Sequence, residues 1–234
     1  MIIVRPTTIP APVEPATTVV HVASSVGYNA SSGAKSVTPV LPPRQSGDLM
    51  VAIVGSYSSG GISTPSGWTK QATQASAVID QNVYTRVSTG SESNPTFTAD
   101  AADYYLHACV SVFRNATLSS GIVTDGKTSL SEGYDPCAAP NASAPIGGAV
   151  FSHICSMTTN QALASFYTWT DSNSVELYDR LGTNKDGSGN SYRTTGALYS
   201  PTGGGVTSQS AQSTVSSERT SYYSSVSVPM AVSA

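Results

Sequence analysis

Gly47-Asp48-Leu49-Met50-Val51-Ala52-Ile53-Val54 sets six consecutive apolar residues behind a Gly-Asp turn signal. A run of this length, bounded by turn residues and rich in branched side chains, reads as a strand rather than as a helix. Outward from it the same rhythm continues. Asn82-Val83-Tyr84-Thr85-Arg86-Val87 alternates, Thr18-Val19-Val20-His21-Val22-Ala23 is β-branched, Thr96-Phe97-Thr98 follows an Asn94-Pro95 turn, and Tyr104 to Phe113 is the longest strand-like run. Ser58-Ser59-Gly60-Gly61, Pro65-Ser66-Gly67 and Thr89-Gly90-Ser91 separate them, all turn formers. Short strands at this spacing, with no helical period, predict an all-β protein: an antiparallel β-sandwich, jelly-roll-like. An immunoglobulin-like sandwich is the alternative, but its Cys-Trp-Cys spacing is missing.

The second half repeats the pattern more weakly. Ala149-Val150-Phe151-Ser152-His153-Ile154-Cys155-Ser156 enters after Gly147-Gly148 as Leu49 enters after Gly47-Asp48. Trp169 follows that strand much as Trp68 follows the first, and Tyr222 to Val228 closes the chain in the manner of Tyr104 to Val112. Residues 19–234 therefore read as a sandwich domain with a pseudo-duplicated set of strands. The glycine- and serine-rich stretch from Ser200 to Ser217 is expected to be a flexible loop. Residues 1–18 are expected to form an extended arm, because Pro6, Pro10, Pro12 and Pro15 remove backbone donors and forbid a helix. Its apolar Ile2, Ile3, Val4 and Ile9 are the candidate partner-binding residues, since a purely flexible tail is usually polar.

Only 11% of the 234 residues are charged, against about 25% in an average soluble protein, which suits a chain that stays in an assembly. The net charge of -3 leaves no basic footprint for a phosphate backbone, so no nucleic acid is expected as a partner. The apolar Met1-Ile2-Ile3-Val4 is cut off by Arg5 and the prolines before a signal-peptide core can form, and no segment approaches a membrane span; no secretion signal and no membrane partner are expected.

Residues able to do chemistry are sparse. Cys109, Cys137 and Cys155 make no Cys-x-x-Cys pair and are expected to be buried free thiols, although one bridge with one thiol left over is compatible with the count. His21, His107 and His153 fall in strand-like segments without a His-x-His or His-Glu-x-x-His pair, so no metal site and no cofactor are expected. No Gly-x-Ser-x-Gly elbow is present, and carboxylates such as Asp80, Glu92, Asp100 and Asp125 are scattered without a marked pair. No catalytic residues are assigned and an enzyme is not expected. Asn184 to Asn190 places oxygen-bearing side chains at alternate positions, as calcium loops do, yet lacks a closing bidentate Glu and reads as a hairpin turn. The sequons at Asn29, Asn115 and Asn141 carry little meaning without a secretion signal. The twelve tyrosines and two tryptophans suit either a sugar platform or a core, and Trp68 reads as a structural plug over one end of the sandwich.

Gly47-Asp48-Leu49-Met50-Val51-Ala52, Pro65-Ser66-Gly67-Trp68-Thr69, Tyr84 to Glu92 and Thr96-Phe97-Thr98 form an ordered series. It resembles a β-sandwich domain of tailed-bacteriophage structural proteins and some bacterial surface repeats, in which a Gly-Asp-Leu-Leu-Val strand precedes a Pro-Ala/Ser-Gly-Trp turn. The match spans about residues 19–234 and is strongest in the first half; the second half has no clean Pro-x-Gly-Trp turn. The resemblance implies a virion component located in the virion, on the capsid surface, and made in the host cytoplasm. A capsid cement or decoration protein that binds across capsomers is expected, with the major capsid protein or other virion proteins as partners and a homo-oligomer, a trimer by capsid local symmetry. A receptor- or carbohydrate-binding tail or fibre protein is the alternative.

Overall fold

A computed structural model describes residues 18–29, 33–57, 61–75, 79–103, 105–127, 137–158, 167–169, 174–183, 191–200, 205–213 and 222–233. Among them every regular element is a β-strand, and the protein is an antiparallel all-β sandwich. The first half contributes β1 (Val20–Asn29), β2 (Ala34–Val37), β3 (Leu49–Ser56), β4 (Thr69–Gln74), β5 (Asp80–Val87), β6 (Phe97–Asp103) and β7 (Leu106–Arg114). One sheet runs β1-β7-β3-β5-β4, and β2-β6 forms a small sheet over its outer face. The antiparallel pairs β1/β7, β2/β6 and β3/β5 nest around β4, the arrangement of a long hairpin rolled up, so the sandwich is jelly-roll-like.

The same pairing order occurs a second time. After β8 (Ala116–Leu118), the chain forms β9 (Val123–Lys127), β10 (Cys137–Ala144), β11 (Ala149–Thr158), β12 (Tyr167–Trp169), β13 (Ser174–Thr183), β14 (Ser191–Tyr199), β15 (Gly205–Ser213) and β16 (Tyr222–Val232). β9 pairs β16, β10 pairs β15, β11 pairs both β14 and β16, and β13 pairs β14, matching β1/β7, β2/β6, β3/β5, β3/β7 and β4/β5 in turn. β3 and β11 therefore occupy equivalent central positions. Equivalent turns lead into them: the N–H of Asp48 bonds the carbonyl of Gln45 and that of Gly148 bonds Pro145, at 3.3 and 2.8 Å. The third residue of each, Gly47 or Gly147, sits at φ 91° or 78°, a left-handed conformation that a side chain would strain.

The stacking is four layers deep. Along β3, Met50, Ala52 and Val54 face outward into a cluster with Val37, Phe97 and Trp68. Leu49, Val51 and Ile53 face inward against Phe151, Val226, Val228 and Met230 of the second central sheet. Burial on both faces explains why the run is continuously apolar instead of alternating. Phe113 and Phe151 meet across the inner interface with ring centroids 5.3 Å apart, a tilted contact. On the far side, Val150 packs on Ala142 and Ala144, while Ile154 packs with Ala139 and Trp169.

Two sequence readings change. The stretch Ser200–Ser217 is not one long loop, because residues 205–213 form β15, hydrogen-bonded to both β10 and β12. A Ser- and Gln-rich strand has weak intrinsic preference and is held by its position between two partners. Trp169 is not the counterpart of Trp68: it lies in β12 of the outer small sheet, whereas Trp68 ends the turn before β4. Residues 1–17, most of the proposed arm, and residues 184–190 lie outside the described residues.

Candidate functional site

Strand alternation places His107, Cys109, Ser111 and Phe113 of β7 on the inner face of the first sheet, and Phe151, His153, Cys155 and Met157 of β11 on the facing side. At the Phe end these faces make an apolar contact, and at the His end they make a polar one. His107, Cys109 and His153 converge there, each fully buried, with their ligand-type atoms all within 4.8 Å of one another. The imidazoles of His107 and His153 stack at 5.9 Å and 21°.

Two glycines make the room. Gly55 is opposite His107 in the β3/β7 register, and a Cβ there would sit 2.0 Å from the His107 Cε1. Gly196 is opposite both His153 and Tyr178, and its Cβ would meet the Tyr178 ring at 2.5 Å. Tyr178 is thereby laid across β14, and its hydroxyl lies 2.6 Å from His153 Nδ1. Thr194 Oγ1 lies 2.9 Å from His153 Nε2 and 3.7 Å from Cys109 Sγ, linking the imidazole to the thiol. His107 has no such support: both ring nitrogens are buried without a hydrogen-bond partner.

Electrostatics keep this cluster uncharged. Burial pushes His107 down to about 4, and burial reinforced by His107 holds His153 well below its ordinary value. Burial raises the Cys109 thiol to about 12 even though hydrogen bonds with Thr194 and Tyr178 pull the other way. An activated nucleophile needs the reverse, a thiolate beside an imidazolium. The donor set, two imidazoles and a thiol, is instead that of a transition-metal ligand group.

Comparison with protein-family models, with curated proteins and with solved structures finds no match to this chain.

The residues singled out in the sequence are distributed as follows. Ile2, Ile3, Val4 and Ile9 lie outside the described residues. Cys109, Cys137 and Cys155 are all buried and form no disulfide, and Cys155 lies in the same seam as Cys109. His21 is apart from the other histidines, half-buried and bonded to Ser24 at 2.8 Å. Glu92 braces a turn through Arg44 at 2.8 Å, Ser88 and the Thr89 N–H. Trp68 and Trp169 are 6% and 8% exposed, and Tyr84, Tyr105 and Tyr223 are buried, so these rings are core and not platform. The His107–His153 pairing escapes any motif built on closely spaced histidines, since the two rings come from strands far apart in the chain. The usable signal is His107-Ala108-Cys109 and His153-Ile154-Cys155, two His-x-Cys pairs whose spacing puts both side chains on one strand face.

Proposed function

We propose that the protein is a structural component of a bacteriophage virion, a capsid cement or decoration protein that binds across capsomers on the capsid surface. The observation that carries this reading is the architecture: two sandwiches of the same pairing order share one buried apolar interface and make a stiff slab. Exposed apolar side chains line one end of it. Val20, Val87, Ile146 and Val175 surround the end where β3 and β11 begin, and Thr18, at which the proline-rich segment joins, is at that end too. A proline-rich segment joined to an apolar rim suits a clamp seated between capsomers, a mode in which a chain segment adds to a neighbouring sheet edge.

On this reading the chain is made in the host cytoplasm, takes the major capsid protein or another virion protein as its partner, and acts as a homo-oligomer, with a trimer matching capsid local symmetry. It performs no catalysis and needs neither nucleic acid nor membrane. Both tryptophans are turned inward, which removes the two largest aromatic faces from a pyranose platform and favours cement over a carbohydrate-binding tail protein. The test is to mix purified protein with undecorated capsids and with host cells and score sedimentation. Sedimentation with capsids, lost on deleting residues 1–17 while the sandwiches stay folded, is expected. Sedimentation with cells alone would replace this reading with a receptor-binding tail protein, and undiminished capsid binding by the truncated chain would remove the clamp.

A further inference from the structure

We propose that His107, Cys109 and His153 form a buried three-coordinate site for a soft monovalent d10 cation, copper(I), placed between the two central sheets. Three observations converge on it. The donor atoms already lie within 4.8 Å of one another. A cation held about 2.0–2.3 Å from each donor brings such atoms to within roughly 4 Å, so closure by about one ångström completes the site. His107 is fully buried with both ring nitrogens unpartnered, although the fold has cleared Gly55 to admit the ring. An orphaned buried imidazole nitrogen has lost its hydrogen bonds to water without replacement, and a coordinate bond removes that cost.

The surrounding groups supply the outer support a metal site uses. Tyr178 stands 2.6 Å from His153 Nδ1 and fixes the ring so that Nε2 points to the Cys109 side. Thr194, 2.9 Å from that Nε2 and 3.7 Å from the Cys109 sulfur, gives up its bond to the nitrogen when the cation binds and keeps its contact with the sulfur. Binding is a proton exchange: Cys109 releases its thiol proton to solvent, the thiolate pair forms the Cu–S bond, and both imidazoles stay neutral. No electron is transferred. Charge then selects the ion. One thiolate and two neutral imidazoles balance a +1 cation, whereas zinc(II) leaves an uncompensated positive charge among fully buried groups. Thiolate ligands also favour copper(I).

The full chain, expressed in copper-supplemented culture and handled under reducing, anaerobic conditions, is analysed by native mass spectrometry and X-ray absorption at the copper edge. One copper per chain, with one sulfur and two nitrogen neighbours, is expected. Cys109→Ser loses the copper while keeping its β circular dichroism, and Cys137→Ser, away from the site, retains it. No bound copper, copper without a sulfur neighbour, or equal loading of Cys109→Ser would overturn the proposal. Zinc held in preference to copper at equal supply would overturn the choice of ion. The absorption spectrum of the unaltered chain decides the matter even if Cys109→Ser fails to fold.

Discussion

The two halves of the molecule share a pairing order and differ in what fills it. In the first half the space between the central and small sheets is apolar and aromatic: Met50, Val54, Tyr84 and Phe97 with Trp68 against the Phe97 ring at 6.0 Å. In the second half the corresponding layer breaks into two smaller apolar clusters, around Trp169 and around Val150, with hydroxyls between them. Ser152 bonds Ser227 at 2.9 Å, and the hydroxyls of Ser227 and Ser225 each donate to a β10 carbonyl, Pro140 and Ala138, at 2.8 Å. The turns differ in the same sense. Asp48 accepts from both Arg114 Nε and Nη2 at 3.1 Å and from the Gln45 N–H, while its equivalent is Gly148, where a Cβ would lie 2.3 Å from the Met230 carbonyl oxygen. One topology is thus held by a single aromatic and aliphatic core in one copy, and in the other by smaller apolar clusters supplemented by hydroxyl hydrogen bonds to backbone. Topology is set by which edges pair, and the filling is free to vary provided that buried polar groups are satisfied.

This contrast sets a series of expected effects. Phe97→Ala empties the centre of the first outer core, and thermal or denaturant unfolding is expected to show a loss of about 3–5 kcal/mol. Asp48→Ala leaves Arg114 and a turn N–H without their acceptor and is expected to cost about 2–3 kcal/mol, by the range for hydrogen bonds to charged groups. The reciprocal change sharpens the point: Gly148→Asp, which copies the first half, should destabilise and not stabilise, because the Met230 carbonyl occupies the side-chain space.

Glu92 gives the first half a pH signature. Burial would raise its carboxyl, but the Arg44 guanidinium and the Thr89 N–H outweigh burial and hold it well below the usual carboxylate range. A folded value below the unfolded one means that the unfolded chain binds the proton first as pH falls. The stability Glu92 contributes is therefore complete above about pH 4.3 and is lost progressively below it. Unfolding curves of Glu92→Gln and the unaltered protein should differ by about 2 kcal/mol at pH 7, and the gap should narrow progressively as pH falls below about 4.3. A gap that is constant with pH would mean that the turn, and not the charge, makes the difference. Smallest is Ser227→Ala in the second half, expected to cost about 1 kcal/mol, since it removes the Ser152 and Pro140 contacts of a single hydroxyl.

What could be read from the sequence follows the same division. β3, β7 and β11 announce themselves as largely apolar runs of strand length because they are central strands buried on both faces, while β5 and β16 show through alternation and their Tyr and Val content. β10, β14 and β15 are built largely from Ala, Ser, Thr and Gly, and only their place between neighbours makes them strands. At the site, spacing alone puts His107 beside Cys109 and His153 beside Cys155, one strand face each. That the two faces meet depends on sheet packing, to which the intervening chain gives no local clue. Gly55 and Gly196 read as interruptions of good strands until the rings above them are seen.

The central claim is that the two sandwiches unfold as one body because they share the core that runs from Phe113 and Phe151 to the His107 seam. Each half holds one tryptophan, Trp68 or Trp169, so Trp169→Phe and Trp68→Phe leave a single reporter in the first or second half respectively. Urea unfolding of each, followed by tryptophan fluorescence and by circular dichroism, measures the two halves separately. Within each variant the account predicts that fluorescence and circular dichroism trace one transition with the same midpoint and slope. A fluorescence transition displaced from circular dichroism, with the two halves melting at different urea concentrations, would contradict it.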